Sequence, residues 1–308
     1  MFAVAEFGST CRQSSDSHSD KDLLIIGDRE LSKRLANRYK QQGYSVSTLT
    51  QSQLVRMQHR GSLFIQHLRT EAHVQLDVDS AFSRWIQTCE YSPPTIAELW
   101  RCRNTIKLID QWPRDSALEG WRSDFLYCVS RDFLIKWLAR RGVLAFGLED
   151  IERGLGGENN GLAANIGDLA LLREAKAAYR DGQPVPNGAG EAMEEWCAAL
   201  RSFLKLPEPP RAPPSLDKYI AGLSRRQFSS NYERLRSLEG AYKIATSRGM
   251  QHPSHDLLTC HILQPNGYGS SQARKAAQMY AYLCDVLNLI ANKPLNPTAY
   301  PLRGCAAG

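Results

Sequence analysis

The fold of this chain is decided by residues 2–26, which read FAVAEFGSTCRQSSDSHSDKDLLII. A short apolar segment leads into the turn Gly8-Ser9, and after a polar loop Asp20 and Asp22 alternate at the start of a second apolar run. Side chains at positions i and i+2 of a strand point to the same face of a sheet. We therefore expect the two carboxylates to project side by side.

A pair of carboxylates with this spacing is typical of sites for hard divalent cations, which take oxygen ligands. Two such metals, about 3.5–4 Å apart, can clamp the attacking and leaving oxygens of a phosphoryl displacement. Asp20 and Asp22 are thus the expected ligands of Mg²⁺ or Mn²⁺. The alternative from the residues alone is an ordinary surface hairpin whose acids are simply solvated.

The ordered set Gly8-Ser9, Arg12 and Ser19-Asp20-Lys21-Asp22-Leu23 resembles the signature of the DNA polymerase β-like nucleotidyltransferase superfamily. It looks most like the minimal nucleotidyltransferases, which include small-molecule adenylyltransferases and antitoxin-type enzymes. The resemblance covers roughly residues 1–80. It implies an enzyme that moves a nucleoside monophosphate from an NTP or dNTP to a hydroxyl acceptor and releases pyrophosphate.

Nucleotidyl transfer depends on positioning and charge neutralisation more than on covalent chemistry. Gly8 allows the backbone to approach the triphosphate, and Ser9 can offer its hydroxyl and amide to a phosphate oxygen. Arg12 can pair bidentately with phosphate, although a solvated loop arginine is an equal alternative. Gly8, Ser9 and Arg12 are therefore the candidate nucleotide-binding residues.

A third carboxylate usually completes such a site on a neighbouring strand, where it helps to activate the attacking hydroxyl. Here the sequence departs from the pattern, because Ser47 stands where the acid of the strand 44–50 is expected. The other candidate is Asp77, which we slightly prefer as third catalytic residue and metal ligand. The segment around Asp77 and Asp79 can equally be an outer strand that ends in a structural turn.

The first 92 residues alternate between helical and strand patterns, which predicts an α/β or α+β layer. With the resemblance, we expect the α+β class, with the small mixed sheet and flanking helices of such a nucleotidyltransferase. Asp28 is expected to cap the first helix and Gly43 to end it. The predicted strands after the opening pair are 44–50 and 73–78, and the predicted helices are 29–42, 51–70 and 79–89.

From Pro93-Pro94 onward the patterns are helical only, with a stiff proline-rich linker at 207–214. We expect a catalytic core over 1–92, a helical domain over 93–206 and a helical C-terminal region over 207–308. The predicted helices are 95–110, 121–141, 166–180, 191–204, 217–223, 231–247 and 270–292.

The composition limits the classes of protein that fit. The chain has 308 residues, 43% of them apolar, and a net charge of +6, which is compatible with phosphate-bearing substrates. Its eight cysteines form no Cys-x-x-Cys pair, so a structural zinc site is not expected. We see no secretion signal and no run of about 18 apolar residues, and the scattered cysteines suit a reducing cytoplasm.

The sequence leaves the acceptor and the oligomeric state open. A long helical region after a minimal core suits a macromolecular or nucleotide acceptor. One version is an antiphage-defence or toxin–antitoxin enzyme that makes an oligonucleotide, as Hailong-type systems do, or nucleotidylates a partner protein. The alternatives are a small-molecule (antibiotic-type) adenylyltransferase and a catalytically degraded nucleotide-binding module. Basic residues beside aromatics in 100–136 can contact a nucleic-acid strand, although such residues are more often core and solvated surface.

Overall fold

The computed structural model describes residues 1–8, 11, 21–112, 114, 116–156 and 161–208, together with Tyr219, Glu239, Gly240, Tyr242, Lys243 and Thr246. The chain forms two compact units. One contains residues 1–103 and 130–170, and the other contains residues 104–129 and the described residues from 171 onward. The expected boundary at residue 92 therefore does not coincide with a boundary between these units.

The first unit is built on a four-stranded mixed sheet, which agrees with the expected α+β class. The strands are β1 (Ala3–Phe7), β2 (Lys21–Ile26), β3 (Tyr44–Leu49) and β4 (His73–Asp77), in the spatial order β3-β2-β1-β4. The central strand β1 is antiparallel to both β2 and β4, whereas β2 and β3 are parallel. The parallel pair requires a crossover connection, which a helix supplies.

Alternation along the two central strands gives the sheet two apolar faces. Ala3, Ala5 and Phe7 of β1 and Leu24 and Ile26 of β2 pack with residues of three helices on one face. On the other face, Val4, Leu23, Ile25 and Ala36 form a smaller core. Both faces of β1 and β2 are thus covered, which explains why these strands read as continuous apolar runs.

Four helices flank the sheet: α1 (Arg29–Gln41), α2 (Gln51–His59), α3 (Leu63–Glu71) and α4 (Ala81–Thr88). Asp28 caps α1 as expected, because its carboxylate accepts from the amides of Glu30 and Leu31. The single helix predicted over 51–70 is two helices. Gly61 separates them with a φ of +65°, a conformation that ends a helix.

The remaining helices are α5 (Ile96–Ile106), α6 (Glu119–Arg140), α7 (Leu148–Leu155), α8 (Gly161–Ala164), α9 (Ile166–Arg180) and α10 (Ala189–Leu204). No strand follows Asp77 in the described part of the chain, in line with the sequence patterns. The sequence did not predict α7 or α8. The helices expected over 217–223, 231–247 and 270–292 fall almost wholly outside the described residues.

Aromatic packing forms the centre of the second unit. The ring centroid of Trp112 lies 4.9 Å from that of Trp121 and 4.8 Å from that of Phe125. The nearby carboxylate of Asp124 is fully buried and accepts two hydrogen bonds from Arg180, at 2.9 and 3.2 Å.

Among the helices of the described residues, none is both long enough and apolar enough to cross a bilayer.

Candidate functional site

The site begins where β1 ends and β2 starts. Asp22 lies directly opposite Phe7 in the antiparallel pairing of the two strands. Side chains of directly opposed residues lie on the same face, with Cβ atoms about 4.5–5.5 Å apart. The Asp22 side chain therefore lies beside the buried ring of Phe7, on the face that carries Leu24 and Ile26. It is partly exposed, unlike the four residues that follow it.

Gly8 brings the backbone against this carboxylate. Its φ is +82°, which L side chains rarely adopt, and a Cβ atom added to it would lie 3.0 Å from the Asp22 Oδ2. The amide of Cys11 donates to the carbonyl of Gly8 at 3.1 Å, so a tight turn follows the strand. Position 8 thus requires glycine for two reasons, and the absence of a side chain leaves Asp22 next to bare backbone.

Three of the predicted site residues, Ser9, Arg12 and Asp20, lie outside the described residues. Their roles stay predictions. The structure brings together Gly8 and Asp22, two residues of the motif that it describes.

The edge strand β3 carries no carboxylate beside Asp22. The parallel register pairs Asp22 with Ser45 and Leu24 with Ser47. Ser47 is exposed. The strand on which the third acid was expected therefore offers hydroxyl groups only.

Asp77 does not lie at this site. It pairs with Ala3, four residues along β1 from the Phe7–Asp22 pair, which is about 13 Å at the usual rise of a strand. Its carboxylate accepts hydrogen bonds from the amides of Phe82 and Ser83, at 3.0 and 2.8 Å, and from the Ser83 hydroxyl at 2.6 Å. We therefore remove Asp77 from the candidate catalytic and metal-binding residues and assign it to the turn before α4.

The charge of Asp77 is held by this turn. Burial by itself raises the pKa of the carboxyl, but the hydrogen bonds from the Ser83 hydroxyl and from the amides of Phe82 and Ser83 outweigh it, and the net pKa is lowered. The turn also contains two residues with left-handed backbone, Asp79 (φ 56°) and Ser80 (φ 52°). Such conformations persist where neighbouring contacts hold them, and Asp77 supplies those contacts.

A histidine–glutamate pair on α3 lies at the Asp22 end of the sheet. His67 Nε2 and Glu71 Oε2 are 2.9 Å apart, and the side chains are 14% and 11% exposed. The ring of His67 meets that of Phe7 edge-on, with 5.6 Å between centroids. The sequence analysis missed this pair. Its only signal was the spacing of four residues on a helix, which places two side chains on the same face.

Basic groups of the helical region are largely engaged in structural contacts. Lys136 donates to Asp132 at 2.6 Å, and Arg131 donates to the carbonyl of Phe146 at 2.6 Å. Arg122 is buried and lies 3.6 Å from Glu194. Trp100 is 51% exposed, and the guanidinium of Arg103 lies over its ring. This distribution favours the structural interpretation of the basic residues beside aromatics.

The described residues contain no group of three or more histidine, cysteine, aspartate or glutamate side chains that would hold a metal ion. Asp22 fits a hard cation nonetheless, because it presents carboxylate oxygens at a glycine turn where a Cβ would fill the space. Asp20, two residues earlier, is the expected second ligand.

No protein-family model, no curated protein and no solved structure matches this chain.

Gly8→Ala is expected to lower the free energy of unfolding by about 1–2 kcal/mol, the cost of left-handed backbone for an L residue, and to displace the Asp22 carboxylate. Gly43→Ala is the matched control, since Gly43 has a φ of +85° but no atom within 4 Å of an added Cβ. Urea unfolding measures the first effect. Binding of a Mg²⁺–triphosphate analogue, measured by calorimetry, should weaken in Gly8→Ala alone. Equal weakening in both variants would contradict the role given to the Gly8–Asp22 contact.

Asp77→Ala is expected to destabilise the fold by about 1 kcal/mol, a typical loss for a helix cap, and to leave triphosphate binding unchanged. Because the pKa of Asp77 is lowered in the folded state, its stabilising effect is complete above the unfolded pKa of about 3.9. It is lost as the pH falls through the folded-state pKa. Urea unfolding of both proteins at neutral pH and near pH 3 should show a difference that shrinks in acid. If Asp77→Ala loses triphosphate binding but keeps the stability of the wild type, Asp77 belongs to the metal-binding site after all.

Proposed function

We propose that this protein is a metal-dependent nucleotidyltransferase that moves a nucleoside monophosphate from an NTP or dNTP to a hydroxyl group and releases pyrophosphate. The observation that carries the proposal is the contact between Gly8 and Asp22. The pairing of β1 with β2 brings the Gly8 backbone and the Asp22 carboxylate together at one end of these two strands. The order of these residues in the sequence resembles the polymerase β-like signature.

In this proposal Asp22 and Asp20 hold Mg²⁺ or Mn²⁺ at the start of β2. The bound metal neutralises phosphate charge and aligns the attacking and leaving oxygens. Asp22 is suited to this role because the buried run from Leu23 to Ile26 anchors the strand behind it. A ligand fixed to a rigid strand holds its geometry better than one on a loop.

The turn after β1 is the proposed cradle for the triphosphate. The Asp22 carboxylate lies 3.0 Å from where a Cβ of Gly8 would be, so a phosphate held by a metal on Asp22 would meet the bare backbone of this turn. Ser9 would add a hydroxyl and an amide donor, and Arg12 would pair with phosphate oxygens. The net charge of +6 favours the approach of such a polyanion.

The acceptor in our preferred version is a nucleotide, an oligonucleotide or a partner protein. More than half of the chain follows the sheet unit's last strand, and an extended helical region can bind a large acceptor. Oligonucleotide synthesis in a bacterial defence context, or nucleotidylation of a toxin partner, belongs to this version. A small-molecule adenylyltransferase is the alternative.

A nucleotide-binding module without turnover is the second candidate function. The observation that favours it is on β3, where Ser47 stands at the position expected for a third acid and Ser45 is the residue that pairs with Asp22. Without a group that accepts the proton of the attacking hydroxyl, the site would bind a metal–triphosphate complex but would transfer the nucleoside monophosphate only slowly.

The test incubates the full chain with Mg²⁺ or Mn²⁺ and each labelled ribo- and deoxyribonucleoside triphosphate, and resolves products by size and by intact-protein mass. We expect pyrophosphate release in the wild type and a loss of about 100-fold or more in Asp22→Asn and Asp20→Asn, since metal stabilisation is worth several kcal/mol and about 1.4 kcal/mol is tenfold in rate.

Asp28→Asn is the matched control, because it changes an aspartate just beyond the other end of β2. Asparagine caps a helix as well as aspartate does, so this variant should retain full activity. Triphosphate binding that needs Asp22, with no turnover, would favour the binding module. If the wild type shows no metal-dependent binding of triphosphate and no turnover, the proposal is wrong.

A further inference from the structure

We propose that His67, oriented by Glu71, is the general base that takes the proton of the attacking hydroxyl, an inference that rests on the proposed nucleotidyl transfer. The pair would take the place of the third carboxylate that β3 lacks. It belongs to α3, an element that the signature residues do not include.

The fold places the pair at the same end of the sheet as Asp22, one of the proposed metal ligands. Asp22 lies opposite Phe7, and the Phe7 ring contacts the His67 ring at 5.6 Å between centroids. Glu71 ends α3, and His73, two residues later, pairs with Glu6 of β1, next to Phe7. His67 and Glu71 are therefore at the same end of the sheet as Asp22, and the residue that His67 contacts, Phe7, is the one that lies opposite Asp22.

The hydrogen bond to Glu71 selects the useful tautomer of His67. A carboxylate only accepts hydrogen bonds, so the 2.9 Å contact requires a hydrogen on Nε2. In the neutral imidazole, Nδ1 then carries the lone pair and can accept a proton. Among the described residues, no donor or acceptor is bonded to Nδ1. An orienting carboxylate on one ring nitrogen and an open second nitrogen are the arrangement that a histidine base requires.

Three aromatic rings fix the orientation of the imidazole. Phe146 stacks on it at 4.4 Å with an angle of 21° between the planes, and Phe7 and Phe64 meet it edge-on. The His67 side chain is 14% exposed, and the proposal requires the substrate hydroxyl to reach Nδ1 through that exposed part. A base held in one orientation loses little entropy when the acceptor binds.

The charged groups around the ring come from few elements. Glu71 is on the same helix, Asp22 of β2 lies beyond Phe7, and Arg131 of α6 donates to the carbonyl of Phe146. The groups that β1 and the segment after α6 place against the ring are phenyl side chains. In the described residues, α2 and α4 place no charged group in contact with it.

The proposed step balances as a displacement at phosphorus. The hydroxyl oxygen of the acceptor forms a bond to the α-phosphorus, its proton passes to His67 Nδ1, and the bond to the leaving oxygen breaks to release pyrophosphate. Glu71 stabilises the imidazolium that forms. No oxidant or further reactant is required.

The kinetic test compares wild type, His67→Gln, Glu71→Gln and His73→Gln in steady state between pH 5.5 and 8.5. Loss of a general base typically costs about 10²–10⁴ in rate. We expect His67→Gln to lower kcat by about 100-fold with KM changed less than about threefold, and to flatten the acid side of the pH profile of kcat, because the variant has no proton acceptor at this position. His73→Gln changes an exposed histidine on β4 and should match the wild type.

Glu71→Gln is nearly isosteric and serves as the second variant if His67→Gln does not fold. The amide can donate to Nε2 and so shift the hydrogen to Nδ1, where it blocks proton acceptance. We expect about a tenfold or larger loss in kcat. Long-range ¹⁵N–¹H spectra of histidine-labelled protein, recorded without metal or nucleotide, should show the Nε2–H tautomer for His67 in the wild type and its loss in Glu71→Gln.

The outcomes separate this inference from the proposed function. If the wild type turns over and Asp22→Asn does not, while the two α3 variants keep the wild-type kcat and pH profile, the base is another group and the inference is wrong. An Nδ1–H tautomer for His67 in the wild type overturns it as well. If the wild type neither binds nor transfers nucleotide, both the proposed function and this inference fall.

Discussion

The register of β1 against β2 is the constraint on which the rest depends. It sets Phe7 opposite Asp22 and leaves Gly8 just past the end of the pairing, against the carboxylate. A shift of one residue would turn Asp22 to the other face of the sheet and bring Leu23 out of its core. Because both faces of these strands are buried, the register is strongly determined, and so is the position of the proposed metal ligand.

At the Phe7 end of β1, the two faces of the sheet carry carboxylates with different roles. On the face of α1, Glu6 accepts hydrogen bonds from Tyr44 of β3 and Gln75 of β4, at 2.8 and 2.6 Å. That network ties three strands together and leaves Glu6 on the face opposite to Asp22. On the Asp22 face, Phe7 connects the strand pair to His67 of α3. The sheet thus separates the stabilising carboxylate of Glu6 from the proposed metal ligand Asp22.

Much of the sheet unit follows from sequence because its signals are local. Alternation predicted β3 and β4, the Asp28 cap placed the start of α1, and the Gly8-Ser9 turn with Asp22 placed the proposed site. The break at Gly61 and the helices α7 and α8 were missed, since short helices depend on tertiary packing more than on propensity. Asp77 was chosen for its residue type, whereas its position depends on strand pairing. The proposed role of His67 and Glu71 depends on the contact between His67 and Phe7, and no local sequence pattern predicts that contact.

The most direct test of the account is where a metal–triphosphate complex binds. Mn²⁺ with a non-hydrolysable triphosphate would be added to ¹⁵N-labelled full-length protein, and the paramagnetic broadening of each assigned amide recorded. The account predicts the strongest broadening at Phe7, Gly8 and Asp22, weaker broadening at the amides of Phe82 and Ser83 beside Asp77, and loss of the whole effect in Asp22→Asn. Broadening centred on Asp77, or none at Gly8, would contradict it.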